Sequence, residues 1–139
     1  FRTTRKLPVF ALAALIAVSA AACDSSPSEP SDFSTTFNGS VSAATIFQQH
    51  NLTASRSGTL TAVITWNNAA VDLDIALTNN SCDSDFLGGG CVIHDGSFAV
   101  GVTSETVSTV VTDGQAVRFF VLNFSQNAST NYTITVTIN

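Results

Sequence analysis

The stretch that decides the fold is residues 57–77, SGTLTAVITWNNAAVDLDIAL, which holds two alternating patterns around a short polar turn. In the first half, apolar residues from position 60 to Trp66 alternate mainly with threonine. In the second half, leucine and isoleucine alternate with Asp72 and Asp74. Successive side chains of a β-strand point to opposite faces, so this stretch predicts two strands, each with one apolar and one polar face.

The same pattern continues through the rest of the body, where no long apolar pattern with a period of 3.6 residues occurs. We predict eight strands, at residues 34–41, 46–54, 59–67, 71–78, 92–102, 105–111, 116–124 and 131–138. Many short strands at regular spacing predict an all-β fold, a single antiparallel β-sandwich of the jelly-roll type. Residues 116–124 are apolar on both faces, which predicts a central strand. Asp113-Gly114 before them predicts a hairpin turn.

Composition narrows the classes of partner. The chain is 45% hydrophobic and only 11% charged, against about 25% charged in an average soluble protein. From Cys23 onward there are two arginines, no lysine and ten acids, so the net charge is 2 − 10 = −8. Nucleic acid binding needs Lys and Arg against the phosphates, so we expect no nucleic acid partner.

Residues 1–22 have the form of an export signal. Arg2, Arg5 and Lys6 precede a 16-residue apolar run at 7–22, too short for a typical spanning helix. Small residues followed directly by Cys23 resemble the lipobox of bacterial lipoproteins. That resemblance implies lipidation of Cys23 and attachment to a membrane in the cell envelope, at the outer membrane or cell surface. The alternative is an ordinary secretory signal that is cut before an unmodified cysteine.

Residues 23–32 begin with Cys23 and continue as a Ser- and Pro-rich stretch without large apolar residues, which predicts a disordered linker. The folded domain is therefore predicted at residues 33–139.

Several short motifs occur in a characteristic order: residues 57–61, Trp66, residues 72–77, Asp113-Gly114 and residues 132–136. Together they resemble the bacterial pre-peptidase C-terminal (PPC) domain, over nearly all of the body. The resemblance implies a non-catalytic β-sandwich. Relatives serve in polymer binding, such as collagen binding, or in folding and secretion. The insertion at 79–96 is longer than the family pattern.

Cys82 and Cys91 flank eight residues of this insertion. In an exported chain, two cysteines this close predict a disulfide bond. The alternatives are two free thiols or part of a metal site, for which only His94 is nearby.

Four acids, Asp72, Asp74, Asp83 and Asp85, lie close together in the sequence, and no other cofactor is implied. Carboxylate oxygens are ligands that Ca²⁺ prefers, so these residues are a candidate calcium site. The alternative is that they are solvated acids and turn caps.

Catalysis has weak support in the sequence. His94-Asp95 suggests part of a triad, but no G-x-S-x-G motif is present, and His50 has no acid beside it. Trp66 and Tyr132 could stack on sugars, but their strand positions favour the core. The leading prediction is a non-catalytic, lipid-anchored binding or accessory module. A calcium-dependent module that binds polysaccharide or an extracellular protein is the alternative, and a hydrolase is a remote one.

Overall fold

The structure is a computed structural model that describes residues 32–43, 47–83, 90–125 and 128–139. Within them lie eight strands: β1 Phe33–Val41, β2 Phe47–Thr53, β3 Gly58–Trp66, β4 Leu73–Asn79, β5 Ile93–Ser97, β6 Ser104–Val111, β7 Ala116–Asn123 and β8 Thr130–Ile138. The all-β prediction is confirmed. The strand predicted at 92–102 is wrong in length, because only Ile93–Ser97 pairs with β4.

The strands form two four-stranded antiparallel sheets that pack face to face. Sheet A has the order β1-β8-β3-β6, and sheet B has the order β2-β7-β4-β5. Most connections cross from one sheet to the other, and β4–β5 is the only consecutive pair that lies side by side in one sheet. This arrangement is the predicted β-sandwich. It also confirms that β7 is central, since β7 lies between β2 and β4.

The turn at Asp113-Gly114 forms, but the hairpin predicted there is wrong. Gly114 has φ of 79°, as such a turn requires, yet β6 belongs to sheet A and β7 to sheet B. The reason lies in a neighbouring connection. The backbone N–H of Gly114 donates to the carbonyl of Ala54, and that of Asp113 donates to the hydroxyl of Ser57. The turn is thus fixed against the link between β2 and β3.

The core lies between the two sheets and contains the residues predicted for it. Ile75, Phe119 and Ile134 are fully buried, and Trp66 is 6% exposed. The indole N–H of Trp66 donates to the carbonyl of Val71 at 3.0 Å. This bond satisfies its buried polar atom, so Trp66 is a structural side chain.

Strand β4 is buried on both faces, which corrects the prediction of a polar outer face. All residues from Leu73 to Thr78 are buried. The insertion after β4 covers much of the outer face, where Ala76, Cys82 and Phe120 form a second, small core. The side chain of Asp74 is on the same outer face as Ala76, yet it is only 7% exposed. The alternation of the sequence alone therefore did not reveal that this aspartate is buried.

Candidate binding sites on the sandwich

A polar groove lies at one end of the outer face of sheet A. Its main cavity has a volume of about 700 Å³ and is bounded by adjacent positions on β1, β8 and β3. The pairing register aligns Asn38 with Thr133 and Thr133 with Thr65, and it aligns Gly39, Tyr132 and Trp66 in the next row. A second cavity of about 570 Å³ continues past the strand ends, and Asn131 lines both.

Two asparagines of the groove are held by neighbouring hydroxyls. The hydroxyl of Thr133 donates to Oδ1 of Asn38 at 2.9 Å, and the hydroxyl of Thr130 donates to Oδ1 of Asn67 at 3.2 Å. Each bond occupies an amide oxygen and leaves the amide NH₂ group as the remaining donor. The groove therefore presents oriented donors at its surface.

A group of three acids lies near the start of β4. Glu105, from β6, is 4% exposed and accepts backbone hydrogen bonds from Ile75 at 3.2 Å and from Ala99 at 2.5 Å. The Glu105 carboxylate accepts the backbone bond that a neighbouring strand would otherwise accept, because the pairing of β5 with β4 ends at Ile75. Oδ1 of Asp72 is buried and has no hydrogen-bond partner within the part of the chain that the structure describes.

The environment of these acids favours their neutral forms. Burial, together with the nearby charges of Glu105 and Asp72, raises the pKa of Asp74 to about 6. Burial also raises the pKa of Glu105, against the opposing effect of its hydrogen bonds from Ala99 and Ile75. Like charges in a site of low polarity disfavour ionisation, so the acid corner formed by Asp72, Asp74 and Glu105 retains a proton to higher pH than exposed carboxylates do.

The structure brings together only part of the predicted calcium set. Asp72 and Asp74 lie at the start of β4, whereas Asp83 belongs to the insertion that follows the other end of this strand. Asp85 and Cys23 lie outside the described residues. No three His, Cys, Asp or Glu side chains converge as metal ligands among the described residues. The acid closest to the Asp72–Asp74 pair is Glu105, which sequence reasoning missed.

The predicted disulfide between Cys82 and Cys91 is present and closes the insertion. Arg118, on the outer face of β7, holds this segment in place. Its guanidinium donates to the carbonyl of Cys82, to Oδ1 of Asn80 and to Oδ1 of Asn51, and it lies over the ring of Phe120. These contacts give Arg118 a structural role, since they join the insertion to sheet B.

The two histidines lie apart from each other and from the acid corner in the described fold. Nε2 of His50 is 2.8 Å from the hydroxyl of Tyr132, and burial lowers the pKa of His50. Burial also raises the pKa of Tyr132 to about 12. Nε2 of His94 is buried without a partner among the described residues. The Asp95 carboxylate next to it accepts from the backbone N–H groups of Gly96 and Ser108.

The groove is a feature that sequence reasoning also missed. The available signal was the alternation of Ser, Thr and Asn with apolar residues along β1 and β8. Register between strands that are far apart in sequence is needed to recognise that Asn38 and Thr133, 95 positions apart, are neighbours.

No helix long and apolar enough to span a membrane occurs in the described part of the chain. No protein-family model and no curated protein sequence matches this chain.

Two solved structures share the fold. One is the Yersinia pseudotuberculosis-derived mitogen, with 18% sequence identity, a TM-score of 0.52 and coverage of 77% of this chain and 86% of that one. The other is the pre-peptidase C-terminal domain of collagenase from Bacillus anthracis, with 14% identity, a TM-score of 0.55 and coverage of 73% and 87%. These similarities establish the fold, and the chain is accordingly a PPC-like β-sandwich.

Proposed function

We propose that this chain is a non-catalytic binding or accessory module, tethered to a bacterial membrane through a lipid on Cys23 and located in the cell envelope. The observation that carries the proposal is which polar side chains bond within the fold and which remain available on its surface. The half-buried His50, its partner Tyr132 and Arg118 serve contacts within the fold, whereas amides and hydroxyls are presented on an open groove. The fold of a PPC domain supports the same conclusion.

The remote alternative, a hydrolase, has less support. A hydrolase needs a nucleophile, a base and an orienting group that converge in space. His50 is bonded to Tyr132, whose hydroxyl is a poor nucleophile because burial raises its pKa to about 12. The carboxylate of Asp95, next to His94, is engaged by two backbone N–H groups.

The proposed lipid attachment is tested by intact mass spectrometry of protein extracted from membranes of cells that express the whole chain. We expect a chain that begins at Cys23 and carries added diacylglycerol, with two hydrogens fewer than the dithiol form. A Cys23→Ser variant is the control, and it should not acquire the lipid mass. A mature form without lipid, or one that begins at another residue, contradicts the proposal.

The second candidate property is calcium binding, which is favoured by the acid corner of Asp72, Asp74 and Glu105. Asp74 is buried beside Glu105 and Asp72, and Oδ1 of Asp72 has no hydrogen-bond partner among the described residues. A divalent cation would relieve the repulsion among these carboxylates, and water and backbone carbonyls would complete the six to eight oxygen ligands of Ca²⁺. The side-chain ligands of such a site would be Asp72 and Asp74, because both carboxylate oxygens of Glu105 accept backbone hydrogen bonds and no three acids converge as ligands among the described residues.

The test is thermal unfolding in 10 mM calcium and in chelator. Extracellular calcium sites have dissociation constants of about 10⁻⁴–10⁻³ M, so calcium should stabilise the domain by roughly 1.5–2.7 kcal/mol, several degrees in Tm. The double variant Asp72→Asn, Asp74→Asn should lose the shift, and Asp83→Asn should keep it. Equal melting of the wild type under both conditions would exclude a calcium site.

A further inference from the structure

The groove on sheet A has a lining without charged side chains, although the chain carries ten acids. Its amides come from Asn38, Asn67 and Asn131, and its hydroxyls include those of Thr65 and Thr133. The adjoining cavity is lined in the same way, by amide and hydroxyl residues together with Val41. A phosphate, a carboxylate or a cation would find no charged partner here, so the lining selects against charged ligands.

The groove also continues into a larger uncharged surface. The residues of sheet A that face outward are Ser, Thr or Asn, except for Val63 and Val110: Ser34, Thr36, Asn38 and Ser40 on β1; Asn131, Thr133, Thr135 and Thr137 on β8; Thr59, Thr61 and Thr65 on β3; Ser104, Thr106 and Ser108 on β6. Neighbouring strands are about 4.8 Å apart, so the hydroxyls recur at short, regular intervals. The whole face therefore suits an extended ligand.

We infer that this groove binds a segment of a neutral polysaccharide. The inference rests on the proposed function as a binding module and specifies the class of its ligand. Each sugar hydroxyl both donates and accepts a hydrogen bond, which matches a lining in which amide NH₂ groups donate and hydroxyls do both. Each of the two open cavities lies within the volume range of about 300–1,000 Å³ that is typical of ligand sites, and they adjoin at Ser40, Asn67 and Asn131.

A polypeptide is the main competing ligand, and the geometry favours it less. An extended peptide commonly binds by adding a strand to an open sheet edge, where its backbone pairs with unpaired N–H and C=O groups. The groove is centred on β8, which is paired on both sides, by β1 and by β3. Backbone pairing is therefore already complete at the middle of the groove, and only side chains remain available to a ligand.

The experiment is co-sedimentation with insoluble polymers, using protein purified from cells that express the whole chain. The neutral probes are amorphous cellulose, chitin and starch. Carboxymethyl-cellulose resin is the charged counterpart of cellulose, and insoluble collagen is the polypeptide probe. Asn38→Ala and Asn131→Ala remove groups from the groove, and Thr135→Ala is the matched control on the same face of β8, beyond the lining.

The inference predicts retention on at least one neutral polymer, with about fivefold or greater weakening by each asparagine variant and less than twofold by Thr135→Ala, at unchanged Tm. One lost hydrogen bond of about 1 kcal/mol corresponds to that factor. Retention that the asparagine variants do not weaken would overturn the groove assignment and leave the binding module intact. Retention on collagen or the charged resin alone would overturn the neutral ligand. Retention on none would overturn the inference, whereas the intact mass of the membrane-extracted protein would still test the proposed lipid tether separately.

Discussion

At the scale of single residues, the burial of Asp74 makes the stability of the domain dependent on pH. Its folded pKa of about 6 lies above the ordinary value of 3.8. Below about pH 4 the carboxyl is neutral in both the folded and the unfolded state. As pH rises through 6 it becomes ionised in the folded state as well, and the folded state then bears the cost of a buried charge. This contribution to stability is therefore lost between pH 4 and pH 6.

Asp74→Asn should remove this penalty. We expect the variant to be more stable than wild type at pH 8 by about 1–3 kcal/mol and to have a flatter stability profile between pH 4 and pH 6. Urea denaturation at several pH values measures both effects. Asp113→Asn, at an exposed turn position, is the control and should follow the wild-type profile. A variant of equal or lower stability at pH 8 would show that the ionised Asp74 is stabilised by the fold.

Gly39 illustrates a second constraint at this scale, because its position touches a buried ring. A Cβ atom at Gly39 would lie 2.2 Å from the hydroxyl oxygen and 2.3 Å from Cζ of Tyr132. The ring is 3% exposed and bonded to His50, so it has little room to move. The glycine therefore allows β1 to pass over Tyr132.

Gly39→Ala should destabilise the domain by about 1–3 kcal/mol through overpacking. In a Tyr132→Leu background, which lacks the clashing atoms, the same substitution should cost much less. The double-mutant cycle, measured by denaturant unfolding, isolates this coupling. Thr36→Ala, an exposed position on the same strand, should show no coupling. An equal cost of Gly39→Ala in both backgrounds would mean that backbone conformation, not the ring, requires the glycine.

At the scale of elements, the insertion after β4 completes the fold by covering sheet B. The disulfide between Cys82 and Cys91 closes it, Arg118 bonds it to β7, and Phe120 is fully buried beneath it. The bridge restricts the unfolded chain, and it also keeps the cover over the second core.

The double variant Cys82→Ala, Cys91→Ala should lose about 2–3 kcal/mol of unfolding free energy. A reducing agent should lower the stability of the wild type by a similar amount and should leave the variant unchanged. Denaturant titration with and without reductant gives both values. A loss under 1 kcal/mol would indicate that Arg118 and packing hold the insertion without the bridge.

Sequence periodicity predicted most strand positions to within one or two residues, since alternation depends on local side chains. Two features depend on distant contacts and could not be predicted in this way. The Asp113-Gly114 turn has the same local chemistry whether its strands pair or separate, and its contacts with Ala54 and Ser57 decide the outcome. Likewise, the raised pKa of Asp74 depends in part on the charge of Glu105, which is 31 positions away.

The candidate sites were predictable only in part, for a similar reason. The disulfide joins cysteines nine positions apart, so spacing was sufficient to predict it. The groove combines strands of sheet A that are distant in sequence, and the acid corner combines β4 of sheet B with β6 of sheet A. Asp72 and Asp74 were recognised, but the acid that acts on Asp74 from outside this pair, Glu105, is on β6.

At the scale of the whole molecule, the two outer faces of the sandwich differ in how far they are covered. Sheet B is covered in part by the disulfide-closed insertion, which buries the outer side of β4 and β7. Sheet A leaves its outer face open, uncharged and rich in hydroxyls. A lipid on Cys23 and a linker at 23–32 would hold this open face near the membrane and free to turn toward a polymer.

The central claim is that the molecule binds an envelope polymer without cutting it. The most direct measurement incubates the purified protein with the polymer fraction of the envelope and follows both retained protein and released soluble fragments. We predict reversible retention, polymer of constant length over hours, and the same behaviour in the His50→Ala variant. Progressive shortening of the polymer that His50→Ala abolishes would contradict the claim, and so would a complete lack of retention.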